Sequence, residues 1–112
     1  MKPPKRGDLV WIDFDPKSGH EQAGRRPALV LTPYAYNRAS GLAILCPVTS
    51  RTKGYPFECR LPEGLPVQGV VLSDHARSLD WQARHIAFIC PAPIEVVEDA
   101  TAKLHALTGG EE

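Results

Sequence analysis

Glycine and proline punctuate the first 69 residues so closely that no long helix fits there. Nine of the 11 prolines and seven of the nine glycines precede Val70, and the longest stretch free of both runs from Asp8 to Asp15. What fits between them are short apolar runs rich in β-branched and aromatic residues: Leu9–Phe14, Ala28–Leu31, Leu42–Val48, Phe57–Leu61 and Val70–Leu72. Turn formers bound them, such as Lys17-Ser18-Gly19, Ser40-Gly41 and Gly64-Leu65-Pro66. Evenly spaced short strands of this kind predict a small barrel or sandwich. Tyr34–Ala39 has room for one helical turn after Pro33.

From Val70 to Cys90 there is neither Gly nor Pro. The ends of this stretch, VVL and HIAFIC, read as strands, and the mixed middle, DHARSLDWQAR, reads as strand or turn. The tail is helical in pattern. Ile94, Val97, Thr101, Leu104 and Thr108, with Ala100 and Leu107 alongside, keep the three-to-four spacing of an amphipathic helix. Pro93 suits its first turn, Glu95, Glu98 and Asp99 favour its N-terminal half, and Gly109-Gly110 ends it. The expected fold class is therefore mainly β, a small barrel with a C-terminal α-helix. With 112 residues, the chain is expected to form one domain over 1–112.

Several function classes drop out. No apolar run reaches the ~18–20 residues that span a bilayer, and the basic N-terminus lacks the apolar centre of a secretory signal. Cys46, Cys59 and Cys90 form an odd set without a CxxC pair, against both a disulfide framework and a zinc knuckle. A reduced cytoplasm is the expected setting. Net charge is zero, yet its distribution is uneven: residues 1–60 hold ten Lys/Arg against five Asp/Glu, and residues 61–112 hold three against eight. This asymmetry fits a basic working surface beside an acidic flank, or merely two soluble faces.

Two polar clusters could carry chemistry. The first, DFDPKSGHEQAGRRP from Asp13 to Pro27, brings a carboxylate, a histidine and two guanidiniums within seven residues. It is long for a hairpin connection, and it suits either acid–base work or a solvated loop with surface ion pairs. The second, CPVTSRTKGYPF from Cys46 to Phe57, combines cations, hydroxyls and aromatics that suit phosphate binding and base stacking, or a polar turn whose Tyr55 and Phe57 pack on the barrel. His75, His85 and His105 lack metal-ligand spacing and read as surface or satisfied histidines. Asp74 and Asp80 suit turns, Trp11 and Trp81 anchor a core or interface, and Cys46 and Cys90 sit in apolar runs.

The run GDLVWIDFDPKSGHEQAGRRPALVLTPYAYN, then CPVTSRTKGYPFE, then VVLSDHARSLDWQAR, resembles the MazF/PemK family of toxin endoribonucleases, from Gly7 to about Leu107. The resemblance implies an SH3-like, CcdB/MazF-type barrel working as a homodimer. It implies metal-independent cleavage of single-stranded RNA, no cofactor, and inhibition by a cognate acidic antitoxin. The family's catalytic arginine falls on Arg26, its threonine on Thr49 and its acidic residue on Glu21. Its RNA contacts fall on Phe14, Gln22, Arg25, Lys53, Tyr55 and Phe57. Three positions depart from the pattern: His20 precedes Glu21, His75 follows Asp74 where glutamine is common, and Arg25 precedes Arg26.

The chemistry agrees with that transfer. Metal-free cleavage uses the RNA's own 2′-OH as nucleophile, which needs a proton acceptor and a cation for the charge growing on the phosphate. Arg26 is a permanent, fork-shaped cation, and Thr49 can donate to a non-bridging oxygen. Glu21 is the available carboxylate base. His20 is the alternative, because an unperturbed histidine titrates near ~6.5, closer to neutrality than a carboxylate. The competing readings are a gyrase poison on the same barrel and a non-catalytic RNA-binding module. The first would not need Arg26 with Thr49; the second would not need the Glu21–Arg26–Thr49 set.

Overall fold

A computed structural model describes residues 2–14 and 24–109. The apolar runs form strands β1 (Asp8–Asp13), β2 (Arg25–Val30), β3 (Leu42–Thr49), β4 (Glu58–Arg60), β5 (Val70–Leu72), β6 (Arg77–Asp80) and β7 (Ala87–Pro91). Helix α1 (Tyr34–Ser40) interrupts them after Pro33, and helix α2 (Ile94–Thr108) follows them. All the pairings are antiparallel, in the order β4-β5-β3-β2-β1-β7, with β6 also paired to β3.

Alternation sorts the inward side chains into two cores. Val10, Ile12, Phe14, Ala28, Val30, Ala43, Leu45, Leu79 and Trp81 fill one face. Leu9, Leu29, Cys46, Val48, Cys59 and Val71 fill the other, where Val96, Val97 and Ala100 of α2 join them. Leu79 and Trp81 lie on or just after β6, and they meet Val10 and Ile12 of β1 although β3 and β2 intervene in the sheet. Only a sheet curled tightly on itself allows this. Among the described residues the curl does not close, and α2 rather than a further strand covers β4, where Lys103 Nζ donates to the Glu58 carbonyl at 3.0 Å. The expected barrel is therefore an open, curled sheet capped by a helix.

The stretch after Val70 holds more structure than strand, turn, strand. β3 pairs with β5 through Val48↔Val71 and with β6 through Leu45↔Arg77. Three positions on β3 thus face six on the neighbouring chain. The three extra residues, Ser73–His75, form a single 3₁₀ turn. No periodicity marks such an insertion. In α2 the buried residues are Val96, Val97 and Ala100, whereas Ile94 is 62% exposed and Leu107 is also exposed. The expected stripe ran slightly off the observed one because α2 packs on β4 and the 3₁₀ turn rather than squarely over the sheet. Thr101 and Thr108 tolerate their positions by donating to the carbonyls of Val97 and Leu104.

α1 carries the fully buried Asn37. Its amide donates to the carbonyls of Pro4 and Thr32 at 2.9 Å each, and its Oδ1 accepts from the Thr32 hydroxyl at 2.7 Å. The Asn37 carbonyl accepts from Trp81 Nε1 at 3.0 Å, so the indole is satisfied inside the core. That one residue joins the N-terminal segment, the α1 entry and the residue following β6.

Candidate active site

The end of β1, the start of β2 and the end of β3 meet at one end of the curled face. Ile12 pairs with Arg26 and Asp13 with Arg25 across β1 and β2. The β2–β3 pairing runs as far as Ala28↔Pro47, and Arg26 and Thr49 lie two residues beyond it on their own strands, on the same face by alternation. These two side chains, 23 positions apart in sequence, therefore emerge on one face near one end of the sheet. Both are half-buried. The Thr49 hydroxyl oxygen accepts from Arg51 N at 3.2 Å, leaving its proton available to another acceptor. Behind Thr49 stands Gly69, at φ +118°, where an added Cβ would lie 2.1 Å from the Thr49 carbonyl oxygen. Only glycine leaves Thr49 where it is.

The loop after β3 is shaped by Glu58. Its carboxylate accepts from Lys53 N at 2.9 Å and Gly54 N at 3.1 Å, while its own N–H donates to the Tyr55 carbonyl at 3.1 Å. Gly54 supplies the required positive φ of 78°. The result presents Tyr55, 57% exposed, with Lys53 Nζ 5.9 Å from its ring centroid. Phe57 is half-buried, and its carbonyl accepts from Ser73 N at 3.1 Å. Sequence reasoning took Glu58 merely as the end of the KGYPFE motif; its spacing of four to five residues from the amides it binds was the available signal.

Asp13 is a hub that sequence reasoning did not single out. Its carboxylate accepts from Arg25 Nη1 at 3.0 Å and lies 2.9 Å from His85 Nδ1. The His85 hydrogen bond, and then Arg25, hold the Asp13 carboxyl below its ordinary range against some desolvation. His85 adopts φ 57°, a left-handed backbone that glycine takes more easily, so its placement on Asp13 is built into the turn between β6 and β7. Arg84 Nη1 donates to the carbonyls of Asp13 and Phe14 at 3.2 and 2.9 Å. Arg77 Nη1 donates to the same Phe14 carbonyl at 3.0 Å and lays its guanidinium 5.2 Å from the Phe14 ring centroid. Phe14 itself is only 3% exposed. Arg77, Arg84 and His85 lie 63 to 72 positions from the residues they hold, beyond the reach of any local pattern.

Glu21, His20 and Gln22 fall outside the described residues. Elsewhere, Asp80 accepts from Ala83 N at 2.9 Å in a turn, and His75 Nε2 lies 3.9 Å from Asp74. Burial pushes the Cys46 thiol up to about 12 and raises Cys59 as well, so both are held as thiols. Among the described residues, no group of His, Cys, Asp and Glu is placed to hold a metal ion. None of the described helices is long and apolar enough to cross a membrane.

The family described as "PemK-like, MazF-like toxin of type II toxin-antitoxin system" matches residues 5–108. The chain belongs to this family. Its resemblance to Endoribonuclease toxin MazF of Escherichia coli (strain K12) runs to 42% identity over 109 residues, 95% of each chain. Endoribonuclease toxin ChpB of the same organism is also 42% identical, over 92% of each chain. Among solved structures, MazF (Form-I) from Deinococcus radiodurans superposes with a TM-score of 0.89 at 55% identity, over 97% of this chain and 99% of that one. The MazE-MazF (Form-II) structure from the same organism gives 0.87 at 50% identity, over 99% and 100%. The curled sheet with its C-terminal helix is thus the fold of this toxin family.

Proposed function

We propose that this MazF-type endoribonuclease toxin cuts single-stranded RNA by attack of the 2′-OH on the adjacent phosphorus. The observation that carries the proposal is that Arg26 and Thr49 share a face near one end of the curled sheet, each two residues beyond the Ala28↔Pro47 pair. In the proposed step the 2′-oxygen bonds to phosphorus and its proton passes to Glu21, or to His20 in the alternative. The bond to the 5′-oxygen breaks, and that oxygen takes a proton from solvent. Arg26 neutralises the charge on the phosphoryl oxygens and Thr49 donates to one of them. Lys53, Tyr55 and Phe57, on the turn ordered by Glu58, bind the flanking RNA.

Incubation with a long RNA in EDTA tests the reading. The expected products carry 2′,3′-cyclic phosphate and 5′-hydroxyl ends, and RNA with a 2′-O-methyl at the cut site stays intact. Loss of cleavage in EDTA, or 5′-phosphate ends, would sink it. The acid limb of the pH–rate profile separates the two bases: it moves in His20→Ala if His20 takes the proton, and in Glu21→Gln if Glu21 does.

The proposed setting is cytoplasmic, with a homodimer and an acidic antitoxin as partners. Trp11, Phe88 and Ile94 are exposed and supply apolar surface that a two-fold contact would cover. Lys53, Arg51 and Arg26 would meet an acidic peptide as readily as RNA, so inhibition is expected to be competitive. A monomer in sedimentation at micromolar concentration would remove the dimer. Simultaneous binding of antitoxin and a non-cleavable RNA, without mutual weakening, would remove the competition.

A further inference from the structure

Phe14 was expected to touch RNA, yet its ring is buried at 3% exposure beneath Arg77. What the solvent meets at that place is therefore a guanidinium. Arg77 pairs directly with Leu45 across β3 and β6, and Leu45 belongs to the same core face as Ile12, the partner of Arg26. β6 begins opposite Leu45, four residues short of the end of β3, and the curl carries Arg77 to the Phe14 carbonyl just beyond the end of β1, where β2 begins. Arg77, Arg26 and Thr49 thus lie on one face, with Arg77 anchored beside the end of β1.

The bonding of Arg77 leaves capacity over. Among the described residues its hydrogen bond uses Nη1 alone, toward the Phe14 carbonyl. Arg84 already donates to that carbonyl, so both its lone pairs are filled. Arg77 is exposed, with Nε and Nη2 unused by the described residues. The bond to the Phe14 carbonyl, with the guanidinium carbon 5.2 Å from the Phe14 ring centroid, anchors the guanidinium, while phosphate binding uses its remaining N–H groups. A cation already anchored loses less freedom when a phosphate arrives.

We propose that Arg77 is a second phosphate-binding guanidinium of the RNA site, anchored by the Phe14 carbonyl beside its ring, which holds a backbone phosphate next to the one cleaved. The proposal rests on the reading of Arg26 and Thr49 as the cleavage site. It differs in asking for a contact that positions RNA and reads no base.

Fluorescence anisotropy with a fully 2′-O-methylated RNA, across a series of KCl concentrations, tests it. Arg77→Gln is expected to weaken binding about tenfold, equally for different RNA sequences, and to make the salt slope shallower by about 0.7, the share of one phosphate on a single strand. Arg77→Lys keeps the slope and recovers part of the affinity, since a point charge replaces a fork. Arg84→Gln loses a bond to the same Phe14 carbonyl and controls for structure; it is expected to keep the wild-type slope. An unchanged slope in Arg77→Gln, or the same slope loss in Arg84→Gln, would overturn the assignment while leaving the cleavage site standing. A wild-type protein that does not bind the RNA at all would remove both.

Discussion

Arg26→Ala is expected to lower the single-turnover cleavage rate by about 100- to 1,000-fold, the scale seen when one preorganised transition-state donor is removed. The geometry makes this a sharp comparison, because Arg25 and Arg26 are neighbours on a strand and point to opposite faces. Arg25 is engaged with Asp13 at 3.0 Å, whereas Arg26 lies on the face it shares with Thr49. Removing Arg26 deletes charge where it develops on the phosphate, so the loss falls on the rate and much less on RNA affinity. Arg25→Ala should mainly weaken binding. Single-turnover rates measured at saturating enzyme decide: equal losses in the two variants would mean that the arginines have been assigned to the wrong tasks.

Gly69→Ala is the substitution expected to cost most in stability, roughly 2–4 kcal/mol. Two penalties coincide there. The backbone sits at φ +118°, which an L side chain rarely adopts, and the new Cβ would meet the Thr49 carbonyl oxygen at 2.1 Å and carbon at 2.8 Å. Neither neighbour yields easily. Gly69 is held by Leu61 N, which donates to its carbonyl at 2.9 Å, and Thr49 is held by its pairing with Val70. Relief of the clash therefore moves Thr49, so the folded fraction should also cleave more slowly. Urea unfolding and cleavage at matched folded concentration measure the two effects. A variant with wild-type midpoint and wild-type rate would show that the contact carries no weight.

Local signals sufficed for most of the architecture. β1, β3 and β5 lie within or beside apolar runs that Gly and Pro cut to strand length, and Pro33 and Gly41 bracket α1. What escaped was set by distance along the chain. Nothing around Ser73 announces a three-residue turn, because its role is to re-register one chain between two parts of β3. The helix stripe drifted because Ile94 and Leu107 look as apolar as Val97, and only the position of β4 decides which of them is covered. The motifs supplied the candidate site residues. The fixing of Phe14 by Arg77 and Arg84, and of Asp13 by His85, was not legible in them, since it depends on a curl that brings β6 and the turn after it over the end of β1.

The N-terminal segment has a consequence for how the molecule comes into being. Gly7 O accepts from Ala92 N at 2.8 Å, Gly7 packs 3.3 Å, measured from its would-be Cβ, from a Val97 methyl, and Arg6 Nη2 reaches Thr101 Oγ1 at 3.4 Å. These contacts join segments far apart along the chain, 95 positions for Arg6 and Thr101, and wait for α2 to dock. Closing so long a loop is entropically slow, and the pairing of β1 with β7 waits on the same closure. A toxin wired in this way gains its last contacts only when α2 settles on the segment before β1, so there is an interval in which the chain is present but its architecture is unfinished.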